Sequence, residues 1–234
     1  MNKVVTDKII LALGNFPPGN LRTKNLLYIK DKRYIQNPWN PGILKTILQC
    51  DKIIFIGSGQ TMVDLATGLY KNKYSGRMIA ISRHGVLPVV QKKVGPYPSF
   101  FDELKGRSHL TNIFQIVRKH LKVAEQKGLD QRAVIDSLRP HTQEIWMQLP
   151  TEEKRRFLRH VFRYWEIIRS RIPPASDKII RTLISSDQLK FLKGRITDII
   201  PEEKGIKIRY LERSANVEKT ESADVVINCM GPDQ

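Results

Sequence analysis

A chain of 234 residues is long enough for one large domain or two small ones, and with 41% hydrophobic residues it can bury a core. Lys and Arg exceed Asp and Glu by 17 charges, an excess that points to an anionic partner such as a nucleic acid, a membrane surface or a phosphorylated small molecule. No apolar run approaches the roughly 18–20 residues that cross a bilayer, and Cys50 and Cys229 match no metal or redox spacing, so a reducing, cytoplasmic setting without membrane or metal is expected.

In chain order, residues 3–13 read as a strand rather than a signal peptide, ending at Gly14-Asn15 before the turn residues Pro17-Pro18-Gly19. Residues 20–42 read as irregular and 43–49 as a short helix. Lys52–Ile56 is the short apolar run of a buried parallel strand. Residues 60–72 carry Met62, Leu65, Ala66 and Leu69 on one helical stripe, and Arg77–Ser82 is the next strand. From about 100 to 188 the periodicity is helical, with Ile113, Ile116, Val117, Leu121 and Ala124 on one face and breaks near Gly128, Pro140 and Pro173-Pro174. Strands return at 189–192, 195–200, 206–211 and 224–229. The order predicts an α/β fold, a Rossmann-like domain carrying a helical insertion.

The chemistry is concentrated between residues 51 and 83. Gly57-Ser58-Gly59-Gln60-Thr61 stands where a buried strand turns into a helix. Gly57 suits the tight turn, and Gly59 lets the backbone approach a pyrophosphate. The free N–H groups at the helix start, around Gln60 and Thr61, then point at the anion. Met62 occupies the third position of the fingerprint, where Gly or Ala is usual, and an ordinary tight turn is the competing reading.

The next strand runs into Ser82-Arg83-His84-Gly85, with no acid to accept hydrogen bonds from a ribose 2′-hydroxyl. Arg83 instead suits a 2′-phosphate, through charge-assisted bonds of about 1.5–3 kcal/mol, and Ser82 adds a hydroxyl. The expected cofactor is therefore NADP(H). Farther on, residues 151–171 hold seven Arg or Lys against three Glu. One helix is expected over 152–169, with Phe157, Leu158, Val161, Phe162, Trp165 and Ile168 inward. Its other face offers Arg155, Arg156, Arg159, Arg163 and Arg169, either to solvent or to an acidic ligand. His160 reads as structural. No catalytic triad or metal cluster is evident.

These motifs resemble those of the bacterial FAD/NAD(P)-binding oxidoreductases, flavoproteins in which an NADPH domain is inserted into an FAD domain, and more distantly the N-hydroxylating and flavin-containing monooxygenases. The resemblance is carried by Gly14-Asn15-Phe16-Pro17-Pro18, Asn37-Pro38-Trp39, Gly57–Asp64, Ser82-Arg83-His84-Gly85, Leu138-Arg139-Pro140 with Trp146, and Arg155–His160 with Trp165. Residues 9–15 look like one crossing between the two domains, and residues 223–232 like the other. The resemblance implies NADP(H) and FAD as cofactors, with Gly14 and Gly231 at the crossings. It implies a remnant of the FAD domain over 1–49, an NAD(P)-binding domain over 50–223, and a return strand to the FAD domain over 224–234. The chain then looks like the central portion of a longer flavoprotein, with hydride passing from nicotinamide to FAD and an unknown small-molecule substrate. The alternatives are a basic nucleic-acid-binding module, which lacks a recognition motif here, and a truncated inactive remnant.

Overall fold

The computed structural model describes residues 6–10, 16 and 18–231. It falls into two compact units. One gathers the described residues of Met1–Met62, Leu69–Gly85 and Asp187–Gln234; the other comprises Val63–Gly68 and Val86–Ser186.

The first unit is a sheet. It contains β1 (Tyr34–Ile35), a short helix α1 (Ile43–Ile47), β2 (Lys52–Ile56), the ends of helix α2 (Gln60–Lys71) and β3 (Arg77–Ser82). The remaining strands come from the C-terminal third: β4 (Leu189–Pro201), β5 (Ile206–Glu212), β6 (Val217–Ala223) and β7 (Val225–Asn228). The strand order is β1-β7-β2-β3-β4-β5-β6. Every pairing from β1 to β4 is parallel, and the β4-β5-β6 pairings are antiparallel. Ile53–Ile56 and all four residues of β7 are buried, because central parallel strands are covered on both faces. Alternate residues Ile54, Ile56, Ile79, Ile81 and Val226 join Ile199 and Tyr34 in one cluster. Asp224 pins the start of β7 to β2, its Oδ2 accepting the N–H groups of Asp51 and Lys52 at 2.8 Å each.

Four expectations change here. Residues 20–42, expected to be irregular, contain β1, because Tyr34 and Ile35 find an open edge on β7. Thr6–Ile10 are irregular, with Ile9 and Ile10 exposed; the rest of the strand expected at 3–13 lies outside the described residues. An apolar run becomes a strand only where a neighbouring edge takes its hydrogen bonds. The strands expected at 189–192 and 195–200 are one, continuous through Gly194 with an irregularity between Ile196 and Asp198. A Cβ on Gly194 would lie 2.5 Å from the Tyr210 ring, so this glycine makes room for an aromatic neighbour rather than ending the strand. Val217–Ala223 is a further strand, with no apolar alternation to announce it.

The second unit is helical: α3 (Phe101–Leu104), α4 (Leu110–Gln126), α5 (Gln131–Ser137), α6 (Thr142–Met147), α7 (Thr151–His160), α8 (Phe162–Arg169) and α9 (Pro174–Ser185). Leu104, Ile113, Val117, Ala124 and Val134 form its core. The single helix expected over 152–169 breaks at Val161, where φ widens to −117° between α7 and α8. Phe157, Trp165 and Ile168 pack on the core, while Leu158 is left 51% exposed.

Charge is consumed locally in this unit. Asp136 clamps the buried Arg171 guanidinium through both oxygens at 2.8 and 2.9 Å. Glu153 is buried and accepts the Leu110 N–H at 2.7 Å, supplying the missing partner at the start of α4, while its other oxygen meets Arg156 at 2.8 Å. The Leu110 N–H first, and then Arg156, hold the Glu153 carboxyl below its ordinary range. A carboxyl depressed by folding adds stability above its unfolded pKa, and that stability is lost as pH falls through the lower, folded value. Thermal unfolding followed from pH 7 to pH 3 is therefore expected to show the helical unit weakening below the ordinary Glu range, and Glu153→Gln to flatten that acid limb. An unchanged limb in the variant would assign the acid sensitivity elsewhere.

Candidate functional site

The Gly-rich turn sits at the carboxyl end of β2, the strand on whose two sides the chain order diverges. β3 lies on one side, and β7, reached last, lies on the other. The strand ends at such a divergence are where α/β sheets take their ligands.

Gly57 is held in place from both neighbours. Its N–H donates to the Ile81 carbonyl at 2.8 Å, and the Cys229 N–H donates to the preceding Ile56 carbonyl at 2.9 Å. Its φ is +108°, and a Cβ there would lie 2.9 Å from the Cys229 carbonyl oxygen, so only glycine fits. At Gly59 the opposite holds: a Cβ would meet nothing within 4 Å, and the backbone faces open space. Gln60 and Thr61 begin α2, whose first turn contains no acidic residue. Its N–H groups and dipole are therefore not offset by a carboxylate of their own first turn. Met62 is fully buried, so the large side chain at the third fingerprint position is absorbed into the packing.

The two serines act inward. Ser58 is 1% exposed and donates its hydroxyl to Ser82 Oγ at 2.9 Å; Ser82 Oγ also accepts the Gly85 N–H at 3.0 Å. Together they tie the Gly-rich turn to the loop after β3. Arg83, by contrast, is exposed at the end of β3, and among the described residues no carboxylate pairs with it. Burial pushes the Cys229 thiol well up, so at neutral pH it is a packing group beside the turn.

Gly231 is described, with φ +87° and open space at its Cα; Gly14 lies outside the described residues. The segments flanking the two expected crossings meet. The buried Asn228 side chain donates to the Gly19 carbonyl at 2.8 Å and accepts the Met230 N–H at 3.1 Å. Gln36 adds a bond to the Pro18 carbonyl at 2.9 Å.

Two contributors to this corner lie far away in the sequence. The Cys229 carbonyl shapes the turn, and the Arg213 guanidinium reaches the loop after β3, at 3.1 Å from His84 Nδ1. The only sign of either was the apolar strand before Cys229, since nothing around Arg213 forms a motif. In the helical unit, Phe114, Arg118, Arg156 and His160 line a separate hollow of about 320 Å³. Arg155 and Arg156 of the basic stretch are engaged by Glu152 and Glu153, and Arg171 by Asp136. Among the described residues, no group of three His, Cys, Asp or Glu converges as metal ligands, and no helix is long and apolar enough to cross a membrane.

The sheet order and the glycine turn at its switch point define a Rossmann-like α/β fold with a helical insertion. No protein-family model and no curated protein matches the chain. Solved structures do. Ornithine hydroxylase PvdA from Pseudomonas aeruginosa, in its reduced form, matches with a TM-score of 0.53 at 14% identity, over 94% of this chain and 44% of its own. L-lysine 6-monooxygenase from Pseudomonas syringae matches with a TM-score of 0.52 at 14% identity, over 95% of this chain and 45% of its own. DfoA bound to FAD, the desferrioxamine-pathway cadaverine monooxygenase from Erwinia amylovora, gives 0.50 at 12% identity, over 92% and 42%. The chain thus spans less than half the length of each. At such identity the likeness is one of fold.

Proposed function

We propose that this chain is the NADP(H)-binding portion of a flavin-dependent oxidoreductase, in which hydride passes from nicotinamide to FAD. The observation that carries the reading is the corner formed by Gly57, Gly59 and Arg83. A turn that only glycine can make leads into a helix start with no acid in its first turn. One strand away, where an NAD site would carry an acid, stands an arginine with no carboxylate partner among the described residues. The fold likeness to a monooxygenase bound to FAD supports the flavin half of the reading.

In this reading Gly57 shapes the turn, while the backbone of Ser58, Gly59, Gln60 and Thr61 receives the pyrophosphate. Ser82 holds the loop that presents Arg83 to the 2′-phosphate. When bound, the nicotinamide supplies the hydride and FAD accepts it; the protein binds, orients and excludes water. The bond from Asn228 to Gly19 supports an insertion plan, because two crossings into a flanking FAD domain, near Gly14 and Gly231, must lie side by side. The substrate class that fits the likeness is a small amine or amino acid, as ornithine, lysine and cadaverine are for the three solved proteins. The test is a fluorescence titration of the chain with NADPH and NADH. NADPH is expected to bind about tenfold or more tightly, the worth of one charge-assisted phosphate contact. Equal affinities would sink the assignment.

A further inference from the structure

We propose that Arg213, one residue beyond the end of β5, is a second specificity-determining cation for the 2′-phosphate of NADP(H), acting beside Arg83. The inference rests on the dinucleotide reading and adds to it a residue 130 positions away in the chain, on a strand that the glycine motif does not include.

The backbone places Arg213 there. Its N–H donates to the Lys193 carbonyl at 3.2 Å, extending the β4–β5 pairing one residue past Glu212. Lys193 in turn is the parallel partner of Ser82, so Arg213 is level with the end of β3, where the loop carrying Arg83 begins. That loop lies close over β4: Gly85 has φ +61°, and a Cβ on it would lie 3.2 Å from the Lys193 Cβ.

The side chain follows. Arg213 Nη1 lies 3.1 Å from His84 Nδ1 and 3.5 Å from the Arg83 carbonyl oxygen. A guanidinium can only donate, so in this contact His84 Nδ1 is the acceptor. Arg213 is thereby aimed over the loop, with several N–H groups still to give.

The surrounding charge is one-sided. Arg83, Lys193 and Arg213 are all exposed, and among the described residues none of the three is paired with a carboxylate. Glu212, the nearest acid in sequence, is turned to Lys219 at 2.8 Å. Clustered like charges repel, and an anion between them turns that repulsion into attraction. A phosphate monoester carries close to two negative charges at neutral pH and offers three oxygens, enough to meet two guanidinium groups at once.

The experiment titrates the 234-residue chain and its Arg213→Met and Arg213→Lys variants with NADPH and NADH. Arg213→Met is expected to raise the NADPH Kd about tenfold while changing the NADH Kd less than about threefold, and Arg213→Lys to recover part of the loss. Full retention of the NADPH preference in Arg213→Met would overturn the proposal and leave the dinucleotide reading standing. Equal loss of both nucleotides, with a lowered Tm, would also overturn it, by making Arg213 a support of the loop. An unmutated chain that binds NADPH no better than NADH would remove the NADP(H) reading, and this inference with it.

Discussion

Gly57→Ala is expected to lower folding stability by about 2–6 kcal/mol and to abolish NADPH binding. Two costs combine in the estimate. A φ of +108° is foreign to alanine, a strain of about 1–3 kcal/mol, and forcing a Cβ against the Cys229 carbonyl adds about 1–3 kcal/mol of overpacking. Relief would require moving either the end of β3 or the end of β7, because the Gly57 N–H and the Cys229 N–H fix both. Domains hold only about 5–15 kcal/mol in total, so the change shows directly as a shifted urea midpoint. Gly59→Ala supplies the contrast. Its Cβ meets nothing within 4 Å, so the fold is expected to tolerate it, while the methyl group would intrude where the pyrophosphate is proposed to approach. Loss of stability at 57, and loss of binding alone at 59, together identify the turn as a ligand site. A Gly57→Ala protein as stable as its parent would contradict this geometry.

The second large effect is expected from Arg83→Ala. Arg83 is exposed and makes no ion pair among the described residues, so removing it should leave the unfolding temperature nearly unchanged. It would remove charge-assisted bonds of about 1.5–3 kcal/mol to a 2′-phosphate, raising the NADPH Kd by about 10- to 150-fold and leaving NADH nearly untouched. Paired titrations of the parent and the variant measure this. An unchanged ratio of the two constants would remove Arg83 from the site.

Much of the site was legible in the sequence because its parts are local. The strand, turn, helix and strand between residues 52 and 82 appear where apolar runs and glycines placed them, since buried parallel strands are written as uninterrupted apolar segments. β6 was illegible for the converse reason. Val217–Ala223 is a mostly exposed edge strand of Glu, Lys, Thr and Ser, held by backbone pairing to β5, and its side chains carry no alternation. The break at Val161 was equally hidden, as the apolar stripe runs on through it and tertiary packing decides where the helix yields. In the site itself, the Ser82 hydroxyl reads as a possible ligand donor, yet its oxygen accepts the Ser58 hydroxyl, a pairing across 24 residues that no local pattern records. Arg213 is the same lesson at greater range.

The buried serine pair also couples two tasks that a nucleotide site usually keeps apart. One serine belongs to the turn proposed to grip the pyrophosphate, the other to the loop proposed to tell a phosphorylated ribose from a plain one. Joined at 2.9 Å, they make the two loops one mechanical body, so a shift that loosens the grip also blurs the choice. Tightness and selectivity in this protein should therefore drift together under mutation at Ser58 or Ser82, even though neither hydroxyl has to touch the ligand.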